Sequence, residues 1–441
     1  MYKKALAGIA GIALTAILAT PAAADTWRDE QYWLDDYGFT TAWETSMGQG
    51  VTVGVIDTGI DATHQDLTGQ VVGGYDASGT GQANGTTPMG PDPNHGTMVA
   101  SLIAGHGHGD PPEIEEDNED DEDTDDAEEP EVELDPIDEF GTDGILGTAP
   151  KAQLLSVSVL LDDSAPEVPS VDQQIADGMM WLVDHGADVI NISLASSAQD
   201  WPESWDDAFL YAEEHDVVVV VAAGNRASGS NVVGAPATIP GVLTVAGLDK
   251  QGNASWDAST EGITIGVAAP ADPLIGALPD DGYTQWSGTS GAAPLVSGLA
   301  ALIRADNPDM PAHQVIHRIL ETAQDTGDAG QDNLYGRGKV DAAAAVKADV
   351  ATVDYNPMGS IAEWITLHRR GEIEEPASTE QTREVAGPID YPTQLPTAAQ
   401  LQDEPTTLQA IVIIGFGMLL LIAVVLAVFF IRKHNANTRS S

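Results

Sequence analysis

Three residues suited to nucleophilic catalysis each stand at the end of an apolar stretch. Asp57 closes "VTVGVID", His95 lies in "NHGTMVASLIAG" ahead of small apolar residues, and Ser290 opens "SGAAPLVSGLAALI". Singly, each has a structural explanation as a turn aspartate, a capping histidine and an N-cap serine. Together they supply what acyl transfer requires. A hydroxyl is a poor nucleophile until an imidazole takes its proton, and the imidazole needs a carboxylate to fix its tautomer. A fourth residue, Asn225 in "VVVAAGNR", also follows an apolar run. Its side-chain amide and the Ser290 backbone N–H are candidate donors to a developing oxyanion, one such donor being worth roughly 3–4 kcal/mol.

The elements that must position these residues are legible as a pattern. "VTVGVID" (51–57), "LLSVSVL" (154–160), "DVINISL" (188–194), "DVVVVVAA" (216–223) and "GVLTVAGL" (241–248) are continuous β-branched or apolar runs. Runs of this kind predict strands covered on both faces. Helical stretches are expected at 96–104, 171–185 and 205–215. The alternation predicts an α/β fold with a mostly parallel central sheet and helices on both faces. Functional residues should then gather at the carboxyl ends of the strands.

"VIDTGID", "NHGTMVA" and "GTSGAAP" resemble the three active-site blocks of the subtilisin-like serine proteases, in the order Asp, His, Ser, and "AAGN" resembles their oxyanion block. The likeness runs from about Gly50 to Ala345. It implies a subtilisin-like three-layer fold and serine endopeptidase activity on peptide or protein substrates. Asp57, His95 and Ser290 would form the triad, with Asn225 and Ser290 as the oxyanion hole. "NISLA" resembles the segment that pairs with the substrate backbone and walls the specificity pocket, which implicates Ser193, Leu194 and Ala195. "AAG" resembles the other wall, Ala222, Ala223 and Gly224. The chain departs from the family in two places. Ala195 replaces a usual glycine, which is expected to narrow the pocket, and Gly291 stands where methionine is frequent, which is expected to loosen packing behind the nucleophile.

The ends of the chain read differently from its middle. Residues 1–24 have Lys3 and Lys4, an apolar run and an Ala22-x-Ala24 site, the pattern of a secretory signal peptide. Residues 25–50 form a short extension, "WRDEQYWLDDYGFTTAWE" being expected to pack its aromatic anchors along the outside of the domain. The peptidase domain is expected at 51–348 and a proline-rich linker at 349–409, with a short amphipathic helix at 360–370. Ala410 to Ile431 is 22 uncharged residues, about 33 Å as a helix, long enough to span a bilayer once. The basic tail 432–441 predicts a cytoplasmic C-terminus and an extracytoplasmic catalytic domain at the cell membrane. This layout resembles the mycosins, membrane-anchored proteases of type VII secretion, and implies secretion components as partners.

Charge sharpens the picture. The formal net charge is −52 with 17 Lys and Arg, which argues against nucleic-acid binding. Residues 110–139 carry 19 carboxylates and no Lys or Arg, so a disordered, solvated insertion is expected there, screening the cleft in favour of basic substrates. No spaced ligand loop supports a calcium site, and the chemistry requires no cofactor. The chain has no cysteine, so no disulfide holds it. The rival reading, a catalytically silent scaffold or partner-binding component of a secretion complex, would be expected to show a broken triad.

Overall fold

The computed structural model describes residues 26–109, 136–162 and 167–369. The signal-peptide reading of 1–24, positions 110–135 of the acidic insertion, the linker beyond 369, the apolar run 410–431 and the basic tail 432–441 lie outside the described residues. Among the described residues no helix is long and apolar enough to cross a membrane.

Three short helices, α1 (Thr26–Asp29), α2 (Trp33–Asp36) and α3 (Phe39–Trp43), lead into β1 (Thr52–Asp57). Next come β2 (Val71–Asp76), α4 (His95–Ala104), the short strands β3 (His106–His108) and β4 (Asp143–Leu146), and β5 (Gln153–Ser158). An alternating series continues with α5 (Val171–Asp184), β6 (Val189–Ile192), α6 (Ser204–Glu214), β7 (Val218–Ala222), β8 (Leu243–Asp249) and β9 (Ile265–Asp272). The hairpin β10 (Leu274–Leu278) and β11 (Gly282–Trp286) precedes α7 (Thr289–Asp306). Helices α8 (Ala312–Thr322), α9 (Ala342–Lys347) and α10 (Ile361–His368) complete the described chain.

Seven strands form one sheet in the order β2-β5-β1-β6-β7-β8-β9, all neighbours parallel. Side-chain alternation explains why the strands are apolar throughout. Val218, Val220 and Ala222 of β7 face one core with α4 and α7, while Val219, Val221 and Ala223 face the other with α5 and α6. The chain builds the sheet outward from β1 on one side through β5 and on the other through β6. A crevice therefore opens at the carboxyl ends of β1 and its neighbours. Ile56 is in register with Ile192 and Asp57 with Ser158, so the segment after β6 starts beside Asp57.

Two flanking regions are more tightly integrated than composition suggests. Three aromatic residues of the extension are core rather than an outer clasp: Trp33 and Phe39 are fully buried and Trp43 is 2% exposed, while Trp27, Tyr32 and Tyr37 are partly buried against them. Gln31 bonds both the N–H and carbonyl of Leu146, and the Trp43 indole donates to the Thr148 carbonyl at 2.9 Å. At the other end, residues 349–369, grouped with the linker by composition, pack on the domain. Ile361 is buried, Glu213 accepts from the Ser360 hydroxyl and the Ile361 N–H, and Arg369 pairs with Asp206 at 2.7 Å. A stretch rich in polar residues can dock when a few apolar side chains and charged hydrogen bonds anchor it.

Candidate active site

Asp57 is the last residue of β1 and is 1% exposed. Its carboxylate accepts from His95 Nδ1 at 2.8 and 3.0 Å and from the Thr58 N–H at 2.7 Å. His95 starts α4, and Gly96 is what lets that helix end come close. A Cβ on Gly96 would lie 2.2 Å from the Gly59 carbonyl oxygen, while its N–H donates to the Thr58 hydroxyl at 3.1 Å. The helix thus meets the turn that follows Asp57, and imidazole meets carboxylate. With Nδ1–H donating to Asp57, the neutral ring keeps Nε2 free as a base. Burial by itself would lower the His95 pKa. The negative charge of Asp57, its hydrogen bond and the charge of Asp92 outweigh that and raise it above the ordinary histidine value.

Ser290 sits in the first turn of α7, where Gly288 and not Ser290 is the N-cap residue. The capping explanation for this serine therefore fails. Its hydroxyl instead donates to the Ser193 carbonyl at 3.0 Å, and the Ser193 hydroxyl donates back to the Ser290 carbonyl at 2.8 Å. In this rotamer the hydroxyl is engaged by Ser193 rather than by His95, with which it shares the cleft.

Asn225 follows β7 and is oriented by Thr289, a residue that sequence reasoning passed over although it directly precedes Ser290. The Thr289 N–H and hydroxyl both donate to Asn225 Oδ1, at 2.8 and 2.9 Å. The Thr289 hydroxyl also accepts from the Gly224 N–H at 2.9 Å. Two donors on Oδ1 fix the amide and leave Nδ2 as a donor toward the cleft.

The cleft holds about 180 Å³ and is lined by Thr58, Asp92, His95 and Leu161. Leu194, Ala195, Ala222, Gly224, Asn225 and Ser290 also line it, together with Ser193, Ser228, Ser230 and Thr289. Ala223 does not belong among them. It alternates away from the cleft, is fully buried and packs in the core with α5 and α6. Ala195 is exposed at the rim, and a Cβ on Gly224 would come within 3.6 Å of the Ala195 Cβ. The two walls thus approach each other at the methyl group of Ala195.

Gly291 does not loosen the region behind Ser290. A Cβ there would lie 2.3 Å from Leu274 Cδ1 and 3.1 Å from the Trp286 ring, so those two side chains already occupy the space. Among the described residues no group of three or more His, Asp or Glu is arranged to hold a metal ion.

The subtilase family matches residues 48–338. Mycosin-1 of Mycobacterium tuberculosis is 31% identical over 383 residues, covering 74% of this chain and 76% of its own. Fervidolysin of Fervidobacterium pennivorans is 31% identical over 352 residues, 74% of this chain, which spans only 44% of fervidolysin. The fervidolysin crystal structure, a keratinolytic enzyme related to subtilisin, superposes with a TM-score of 0.59 over 75% of this chain and 48% of its own, at 29% identity. The MycP3 protease from the type VII (ESX-3) secretion system gives a TM-score of 0.54 at 29% identity, over 72% of this chain and 88% of its own.

Proposed function

The chain belongs to the subtilase family of subtilisin-like serine proteases, and from that premise we propose that it is a membrane-anchored extracytoplasmic endopeptidase acting through Ser290, His95 and Asp57. The observation that carries the reading is the Asp57–His95 pair at 2.8 Å, sharing one cleft with Ser290 and an Asn225 amide turned toward it. As the Ser290 hydroxyl turns from Ser193 to a substrate carbonyl, His95 Nε2 takes its proton. Asp57 holds the resulting imidazolium. The tetrahedral oxyanion accepts from Asn225 Nδ2 and the Ser290 N–H. His95 then protonates the leaving amine, and water repeats the sequence to release the acyl group. Apart from substrate and the hydrolytic water, every step uses groups of this chain.

The signal-peptide pattern of 1–24, the uncharged run 410–431 and the basic tail support export with a single membrane anchor. Similarity to mycosin-1 and to the MycP3 protease supports a place in a type VII secretion system, with exported proteins as substrates. Mapping new N-termini among exported proteins in cells carrying the parent or a Ser290→Ala enzyme tests this. Cleavages confined to the parent are expected, and identical termini in both would remove the assigned role.

A further inference from the structure

Pro294 leaves the helix that carries Ser290 one hydrogen bond short. Helix α7 runs Thr289–Asp306 with Pro294 inside it. An α-helix bonds each N–H to the carbonyl four residues back, so the partner due to residue 294 is the carbonyl of Ser290. Proline has no N–H to give, and its ring crowds that same carbonyl. A backbone carbonyl in a buried setting needs another donor.

The donor comes from the end of β6. The Ser193 hydroxyl donates to the Ser290 carbonyl at 2.8 Å. Ser193 is held in turn by Asn191, whose Nδ2 donates to the Ser193 oxygen at 3.0 Å. Asn191 Oδ1 accepts from the Ser297 hydroxyl at 2.9 Å. Asn191 and Ser297 are fully buried, and Ser193 is 3% exposed. Asn191 interrupts the otherwise apolar β6 on the side that faces α7, since Val189 packs in the core with α7 while Ile190 and Ile192 pack in the other. The donors run one way, from Ser297 through Asn191 and Ser193 to the Ser290 carbonyl, so each bond polarises the next. A buried asparagine needs partners in any fold. Here they lead to two points on α7, residues 297 and 290, and the second is the candidate nucleophile.

The inference rests on the proposed function. The Ser290 main chain must stay fixed while its hydroxyl turns from Ser193 toward His95, because the Ser290 N–H is an oxyanion donor and a misplacement of about 1 Å can cost about 100-fold in rate. We propose that Asn191 and Ser193 are positioning residues that supply to the Ser290 carbonyl the hydrogen bond Pro294 removes, and so hold the main chain of the nucleophile during turnover. Asn225 fastens the preceding residue, Thr289, and the pair from β6 fastens Ser290 itself.

The test is a double-mutant cycle in the full chain, with kcat, KM, fluorophosphonate labelling rate and thermal midpoint measured for each protein. Ser193→Ala should lower kcat and the labelling rate by about 2- to 10-fold, the weight of one buried hydrogen bond, with KM little changed. Ser193→Thr keeps the hydroxyl and should largely restore both rates. Pro294→Ala returns an N–H to residue 294, so in that background Ser193→Ala should cost little further, whatever Pro294→Ala does alone. Asn191→Ala should lower kcat in the parent and add nothing to Ser193→Ala, because it acts only through Ser193. A merely structural network would lower the thermal midpoint without moving kcat measured well below it. That result, or an equal kcat loss from Ser193→Ala with and without Pro294, overturns the inference. A folded parent that neither cleaves peptides nor is labelled at Ser290 would instead overturn the serine-protease reading, and this inference with it.

Discussion

The rings of His95 and Trp286 meet edge to face, with centroids 5.8 Å apart and planes at 80°. Trp286 also fills the space beside Gly291, so one indole meets the proposed general base and closes the region behind Ser290. It is expected to position the His95 ring and to couple to any side chain introduced at residue 291. Gly291→Met should lower kcat/KM and stability. Adding Trp286→Ala to that variant should recover part of the loss, because contacting residues couple by about 0.5–3 kcal/mol. Activity and thermal midpoints of the four proteins measure this, and strictly additive losses would separate the two residues.

Asn225 is expected to act as a donor. Asn225→Ala should lower kcat by about 100- to 1,000-fold with KM little changed. Asn225→Asp keeps the oxygen that Thr289 binds but loses the donor, so it should be similarly impaired while remaining folded. An Asn225→Asp variant with parental kcat would show that only the Thr289 contact matters.

The acid limb of kcat/KM should have its midpoint above about 6.5, since the pKa of His95 is raised and the protonated ring cannot act as a base. The stability effect has the opposite sign. A histidine with a raised folded-state pKa stabilises the fold fully below its unfolded value and loses that contribution as pH rises through the folded value. Acidification through this window should therefore remove activity while circular dichroism stays native. Loss of both signals together would point to unfolding instead.

The strands were legible because buried parallel strands are apolar throughout, and the candidate catalytic residues because reactive polar residues stand at the ends of apolar runs. The sheet edges were not. Strand β2, "VVGGYD", carries two glycines and partly exposed residues, and β11, "GYTQW", is mostly polar, so neither shows a buried-strand pattern. Asp57, His95, Asn225 and Ser290 are recognisable as residue types with known chemistry. Thr289 and Trp286 matter through whom they touch, and that depends on pairings across dozens to hundreds of residues. The inclusion of Ala223 in the pocket failed on a period of two, since its neighbour Ala222 takes the cleft side.

The docked segment 349–369 should contribute to stability. A chain ending at 348 loses the buried Ile361 and the contact between Trp201 and Trp364, whose rings lie 4.4 Å apart. Burial of Ile361 alone is worth about 1.5–3 kcal/mol. Chains ending at 348 and at 369 should therefore differ by at least that much in urea unfolding, the longer one being more stable. Coincident transitions would mean the segment contributes nothing.

The central claim is that Ser290 is a nucleophile activated by His95. A fluorophosphonate probe, followed by mass spectrometry of the labelled peptide, tests it most directly. One adduct is expected, on Ser290, formed rapidly in the parent, much more slowly in His95→Ala and not at all in Ser290→Ala. An unlabelled parent protein that is folded by circular dichroism, or an adduct on another serine, would contradict it.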